Sequence, residues 1–67
     1  MELTPGQKRV RLDFNPDGNP DVEKLKRLTA ELIDACEMLK VKDPRLAALA
    51  QTAYEEASMW AIKAVTA

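Results

Sequence analysis

Two stretches of this 67-residue chain carry a clear helical period. Val22, Leu25, Leu28, Leu32, Cys36 and Leu39 recur every three or four residues, widened by Ile33 and Ala35, which predicts an amphipathic helix over about 20–40. Asn19 suits its N-cap and Pro20 its first position, while Asp21 and Glu23 favour the positive helix end. Asp43 and Pro44 repeat that grammar and open a second helix over 44–66. There Leu46, Ala50, Ala53, Ala57, Trp60 and Ala64 alternate in steps of four and three, a heptad-like seam. The short link Lys40–Asp43 joins antiparallel neighbours, so the fold class is all-α, an αα-hairpin in one domain.

Residues 1–19 read differently. Pro5-Gly6 suggests a turn or a flexible start. From Lys8 to Phe14, Val10, Leu12 and Phe14 alternate with Arg9, Arg11 and Asp13, which is the period of an extended chain. With no second strand to pair with, the expectation is an extended N-terminal arm. Asn15-Pro16-Asp17-Gly18 then reads as a β-turn, with proline second and glycine fourth.

Composition narrows the function. A chain this short makes a marginal core. One cysteine, Cys36, cannot form an internal disulfide, and with no histidine and no CxxC pair no metal site is expected. The remaining staple is self-association: Leu49, Met59, Ile62 and Val65 lie beyond the narrow seam, and Met59, Trp60, Ile62 and Val65 need partners. A net charge of −1 argues against a general binder of nucleic-acid polymers. There is no apolar run of about 18 residues, so a soluble cytoplasmic protein without membrane contact is expected.

Catalysis has poor raw material. There is no imidazole base, Cys36 lies on the predicted core stripe, and Glu55 and Glu56 point about 100° apart on a helix. Glu31, Asp34 and Glu37 read as the solvated face of the first helix. No enzyme activity and no cofactor are expected. A site for a small anion is the other possibility: Phe14 precedes a helix N-terminus, Lys26 and Arg27 lie further along that helix, and Arg9 and Arg11 add cations. On the residues alone, Phe14 is more often a staple-like contact on the helix start, Lys24, Lys26 and Arg27 a solvated face, and Tyr54 and Trp60 core or interface.

Two segments add to this. Arg9–Asp34, with Phe14-Asn15-Pro16-Asp17-Gly18 ahead of Val22-Glu23-Lys24-Leu25-Lys26, and Ala50–Ala67, with Met59-Trp60-Ala61-Ile62-Lys63-Ala64, resemble the phage-encoded helical-hairpin family of anti-CBASS and anti-Thoeris sponges. The resemblance implies a non-enzymatic sponge that sequesters cyclic dinucleotide second messengers in the cytoplasm of an infected bacterium, with cyclic trinucleotides or related signals as a further ligand class. It implies a homohexamer built as a trimer of dimers. It places ligand binding on Phe14 and Lys26, with Asn15, Gly18, Arg9 and Arg11 around them, and a second site on Gln51, Thr52 and Glu55. Met59, Trp60 and Ile62 fall to the oligomer interface. The alternatives are an oligomeric module that binds a host or phage protein without a small ligand, and a small nucleic-acid binder using Lys8, Arg9 and Arg11 as an arm.

Overall fold

A capping side chain followed by proline opens every helix. In the computed structural model, which describes residues 2–67, α1 spans Pro5–Val10, α2 Pro20–Leu39 and α3 Pro44–Val65. Asn19 accepts from the amides of Asp21 (2.8 Å) and Val22 (3.3 Å), and Asp43 from that of Leu46 (2.9 Å). Each cap satisfies amides that have no partner inside the helix. No strand is present among the described residues, and no helix is long and apolar enough to cross a membrane. α2 and α3 pack as an antiparallel hairpin: the Gln51 amide reaches Ile33 and Glu37, while Lys26 shares a groove with Ser58 and Ile62.

The extended arm is not what the chain forms. Thr4 and Gln7 make a reciprocal capping box: Thr4 Oγ1 accepts from the Gln7 amide (3.1 Å) and Gln7 Oε1 from the Thr4 amide (2.9 Å). This box starts a six-residue helix where an alternating arm was expected. Arg11 ends it in the left-handed region (φ 55°), and the chain reverses there. The reversal lets both Val10 and Leu12 reach Ala30 and Ile33, so their alternation records two contacts across a helix end and not a strand.

Gly6 sets how closely α1 approaches α2. Its amide donates to Asp34 Oδ1 at 2.7 Å, and a Cβ added there would lie 2.2 Å from the Ala30 carbonyl oxygen. That oxygen belongs to a helix backbone and cannot step aside. Asp34, expected on the solvated face, is thus the anchor of α1. Glu37 is likewise engaged, accepting from Gln51 Nε2 (2.8 Å) and pairing with Lys40 (3.1 Å).

The expected seams also move. On α3 the buried residues are Ala47, Gln51 and Ser58, whereas Leu46, Ala53, Ala57, Trp60 and Ala64 face outward. On α2 the buried line is Val22, Lys26, Ala30, Ile33 and Cys36, while Leu28, Leu32 and Leu39 stay about half exposed. Both helices are apolar on more than one side, and periodicity finds the richest stripe without saying which neighbour covers it. The leucines lie about 100–140° round α2 from Ile33. α1 covers one side of the hairpin. On the other side, Leu39, Leu46 and Ala50 line a shallow, open groove near the interhelical loop.

Two outcomes follow from these contacts. Gly6→Ala gains about 1 kcal/mol of helix propensity but drives Cβ into a backbone oxygen, so a net loss of roughly 1–3 kcal/mol is expected in thermal or urea unfolding. The Gln51 hydrogen bond, and then Lys40, hold the Glu37 carboxyl below its usual range. A lowered folded pKa adds stability above the unfolded value of about 4.3, and that stability is lost as pH falls through the folded value. Glu37→Gln should therefore lose less stability than the parent between about pH 5 and 3 in denaturant titrations. Parallel curves would show that the carboxylate contributes nothing.

Candidate functional site: a cationic groove beside an aromatic lip

The lip is built by the turn before α2. The Gly18 amide donates to the Asn15 carbonyl (3.0 Å), closing Asn15-Pro16-Asp17-Gly18, and Gly18 takes a left-handed φ of 62° with open space around it. Asn15 then clamps the turn to the helix start: its Nδ2 donates to the Asn19 carbonyl (2.9 Å) and its Oδ1 accepts from the Asn19 amide (3.1 Å). The side chain of Asn15 and the glycine therefore shape the lip from behind.

Phe14, at the front, is 63% exposed. The staple reading fails on that exposure, because a ring packed on the helix start would be covered. Beneath it lies Lys26, only 5% exposed. Its Nζ donates to the carbonyls of Arg11 (2.8 Å) and Phe14 and sits 5.5 Å from the Phe14 ring centroid, within cation–π range. Loss of hydration, and secondarily the charge of Arg11, lower the Lys26 pKa from its usual value.

Lys26, though not the Phe14 ring, also lines an open groove of about 680 Å³ between the end of α1, the start of α2 and the C-terminal half of α3. Its cations are Arg9, Arg11, Lys26 and Lys63, its one carboxylate is Glu55, and Met59 and Ile62 give it apolar wall. Glu55 is neutralised locally, since Arg9 Nε donates to it at 2.9 Å. Such a groove suits an anion that also carries a flat, stackable group.

The expected residues fall into different places. Phe14, Lys26 and Arg11 come together. Arg9 lines the same groove but is bonded to Glu55, Gln51 (3.3 Å) and Thr52 (3.4 Å), the residues of the expected second site. Gln51 is 1% exposed and committed to Ile33, Glu37 and Arg9. Met59 and Ile62 line the groove, and Trp60 is 62% exposed on the outer side, with Lys63 Nζ 5.4 Å from its ring centroid. Sequence reasoning missed Ser58, Lys63 and Thr66 as groove residues. The signal was available: Glu55, Met59, Lys63 and Thr66 follow one another at steps of four, four and three, with Ile62 three beyond Met59, and so share a helix face.

A family model described as Acb2/Tad1, hairpin domain, matches residues 5–66. The chain belongs to this family. It is the anti-CBASS and anti-Thoeris sponge family, known for binding cyclic nucleotides and not as a family of enzymes. The match begins where α1 begins and ends at the cap of α3, so the short first helix is part of the Acb2/Tad1 domain. No curated protein and no solved structure matches the chain.

Proposed function

We propose that this protein is a non-enzymatic sponge for cyclic dinucleotides, sequestering second messengers of bacterial anti-phage signalling in the cytoplasm of the infected host. The observation that carries the reading is the exposed Phe14 ring set over a buried lysine that lines a cationic groove. A base stacks on the ring, and the groove cations meet the phosphates. The groove offers no poised acid–base pair, because Glu55 is tied to Arg9. Ligand is therefore held and released unchanged. Gln51, Thr52 and Glu55 are already hydrogen-bonded to Arg9 within one chain, which favours the groove over these residues as the principal site.

Self-association belongs to this reading. The molecule measures 39 × 28 × 12 Å between Cα extremes, and its thinnest dimension is that of a single helix layer. Half-exposed Leu28, Leu32 and Leu39 on α2, with Leu46, Leu49 and Trp60 on α3, have no second layer to cover them. Copies of the same chain are the simplest cover, in a homo-oligomer consistent with a hexameric trimer of dimers. A two-fold axis would also present two rings and two sets of cations to a ligand with two bases and two phosphates.

Titration calorimetry of the assembled protein with cyclic di- and trinucleotides tests the function. Binding of at least one cyclic dinucleotide, with the ligand recovered intact, is expected, and no binding at micromolar ligand would overturn it. Phe14→Ala should weaken that binding by about 1–3 kcal/mol through lost stacking. Trp60→Ala should leave the monomer folded and shift light scattering towards smaller species at low protein concentration.

A further inference from the structure

Arg9 lines the groove, yet all three nitrogens of its guanidinium are engaged by α3. Nε donates to Glu55 Oε1 at 2.9 Å, Nη1 to Gln51 Oε1 at 3.3 Å and Nη2 to Thr52 Oγ1 at 3.4 Å. The acceptors are themselves held in place. Gln51 is 1% exposed, and its Nε2 donates to the Ile33 carbonyl (3.0 Å) and to Glu37 Oε1 (2.8 Å), which leaves its Oε1 for Arg9. A rigid planar fork met by three acceptors on one helix has a fixed orientation. Among the described residues, Glu55 is the one carboxylate that lines the groove, and Arg9 is its ion-pair partner. Arg11 and Lys63 line the same groove and form no ion pair among the described residues. Nor is Arg9 what seats α1, because the Gly6 amide is bound to Asp34 and Val10 packs on Ala30 and Ile33.

We propose that Arg9 is a positioning residue that acts on an anionic ligand through Glu55: it cancels the single carboxylate of the groove and makes no contact with the ligand itself. The role rests on the anion-binding reading of the groove, whereas the ion pair does not. An uncovered carboxylate beside a phosphate is a like-charge contact and costs affinity. The pair as a whole carries no net charge, so removing both charges leaves the groove as positive as it was. Removing the arginine alone does not. That asymmetry separates a mask from a phosphate contact, whose loss no change at Glu55 repairs.

The test is a double-mutant cycle on the assembled protein, read by titration calorimetry with cyclic di-AMP and cyclic di-GMP. Arg9→Gln should weaken binding about tenfold, Glu55→Gln should tighten it, and the double variant should return to within about threefold of the parent. A double variant as weak as Arg9→Gln alone would overturn the mask, and so would parental affinity in Arg9→Gln. A second cycle uses no ligand: urea unfolding at one fixed protein concentration. Each single variant should lower the midpoint, and the double variant should lower it by less than the two shifts together; additive shifts would overturn the ion pair on which the mask depends. If neither cyclic dinucleotide binds the parent, the mask falls with the proposed function, while the urea cycle still decides the pair.

Discussion

Everything at the groove depends on how closely α1 lies against α2, and that distance is set by a missing side chain. Gly6 lets its own backbone approach the Ala30 carbonyl, and the Asp34 carboxylate completes the contact with a charge-assisted bond to the Gly6 amide. A helix of six residues has almost no stability of its own. The capping box at Thr4 and this docking contact hold it in place. Once α1 is seated, the left-handed Arg11 turns the chain back, Val10 and Leu12 close over Ala30 and Ile33, and Arg9 is delivered to α3. The position of the lip follows from these steps in order.

The inside of the hairpin is unusually polar for so small a core. Gln51, Ser58 and Lys26 are buried beside Val10, Val22, Ala30, Ile33, Cys36 and Ala47. A buried amide or ammonium is tolerated only when its hydrogen bonds are made, and no buried side-chain polar atom among the described residues is left without a partner. Gln51 joins all three helices, donating to Ile33 and Glu37 on α2 and accepting from Arg9 on α1. Such a network fixes one register of α3 against α2, because a slip of one turn would leave the amide without its carbonyl. The small apolar core can then be modest, with the remaining apolar area left on the outer faces.

That arrangement explains what the sequence discloses and what it hides. The two long helices are legible because capping chemistry is local: Asn19-Pro20 and Asp43-Pro44 act on their own amides regardless of what surrounds them. The Thr4-x-x-Gln7 box is equally local and marks α1 just as well, but the alternation from Val10 to Phe14 obscures it. The seams are not legible in the same way. Apolar spacing marks Leu28, Leu32, Leu46 and Trp60 alongside Val22, Ile33 and Cys36, yet the single chain buries only the last three of these and adds Ala30, Ala47 and Gln51. Burial of a glutamine or a lysine depends on partners distant in sequence, which no period reveals. The aromatic and lysine of the site could be named from their place around the turn. The grouping of Arg9 with Glu55 and the arrival of Lys63 required the packing of α3.

A chain of net charge −1 presents a cationic groove because only one of its carboxylates, Glu55, lines it. Asp34 is used by the Gly6 amide, Glu37 by Gln51 and Lys40, Glu23 by Arg27, and Asp43 by the start of α3. Within the groove only Glu55 remains, and Arg9 answers it. Arg11, Lys26 and Lys63 are therefore left without acidic neighbours paired to them. At distances of a few ångström that local excess dominates the whole-molecule charge, which is screened beyond about 8 Å at physiological ionic strength. Net charge says little about a ligand this small. The placement of each counter-charge decides where an anion is welcome.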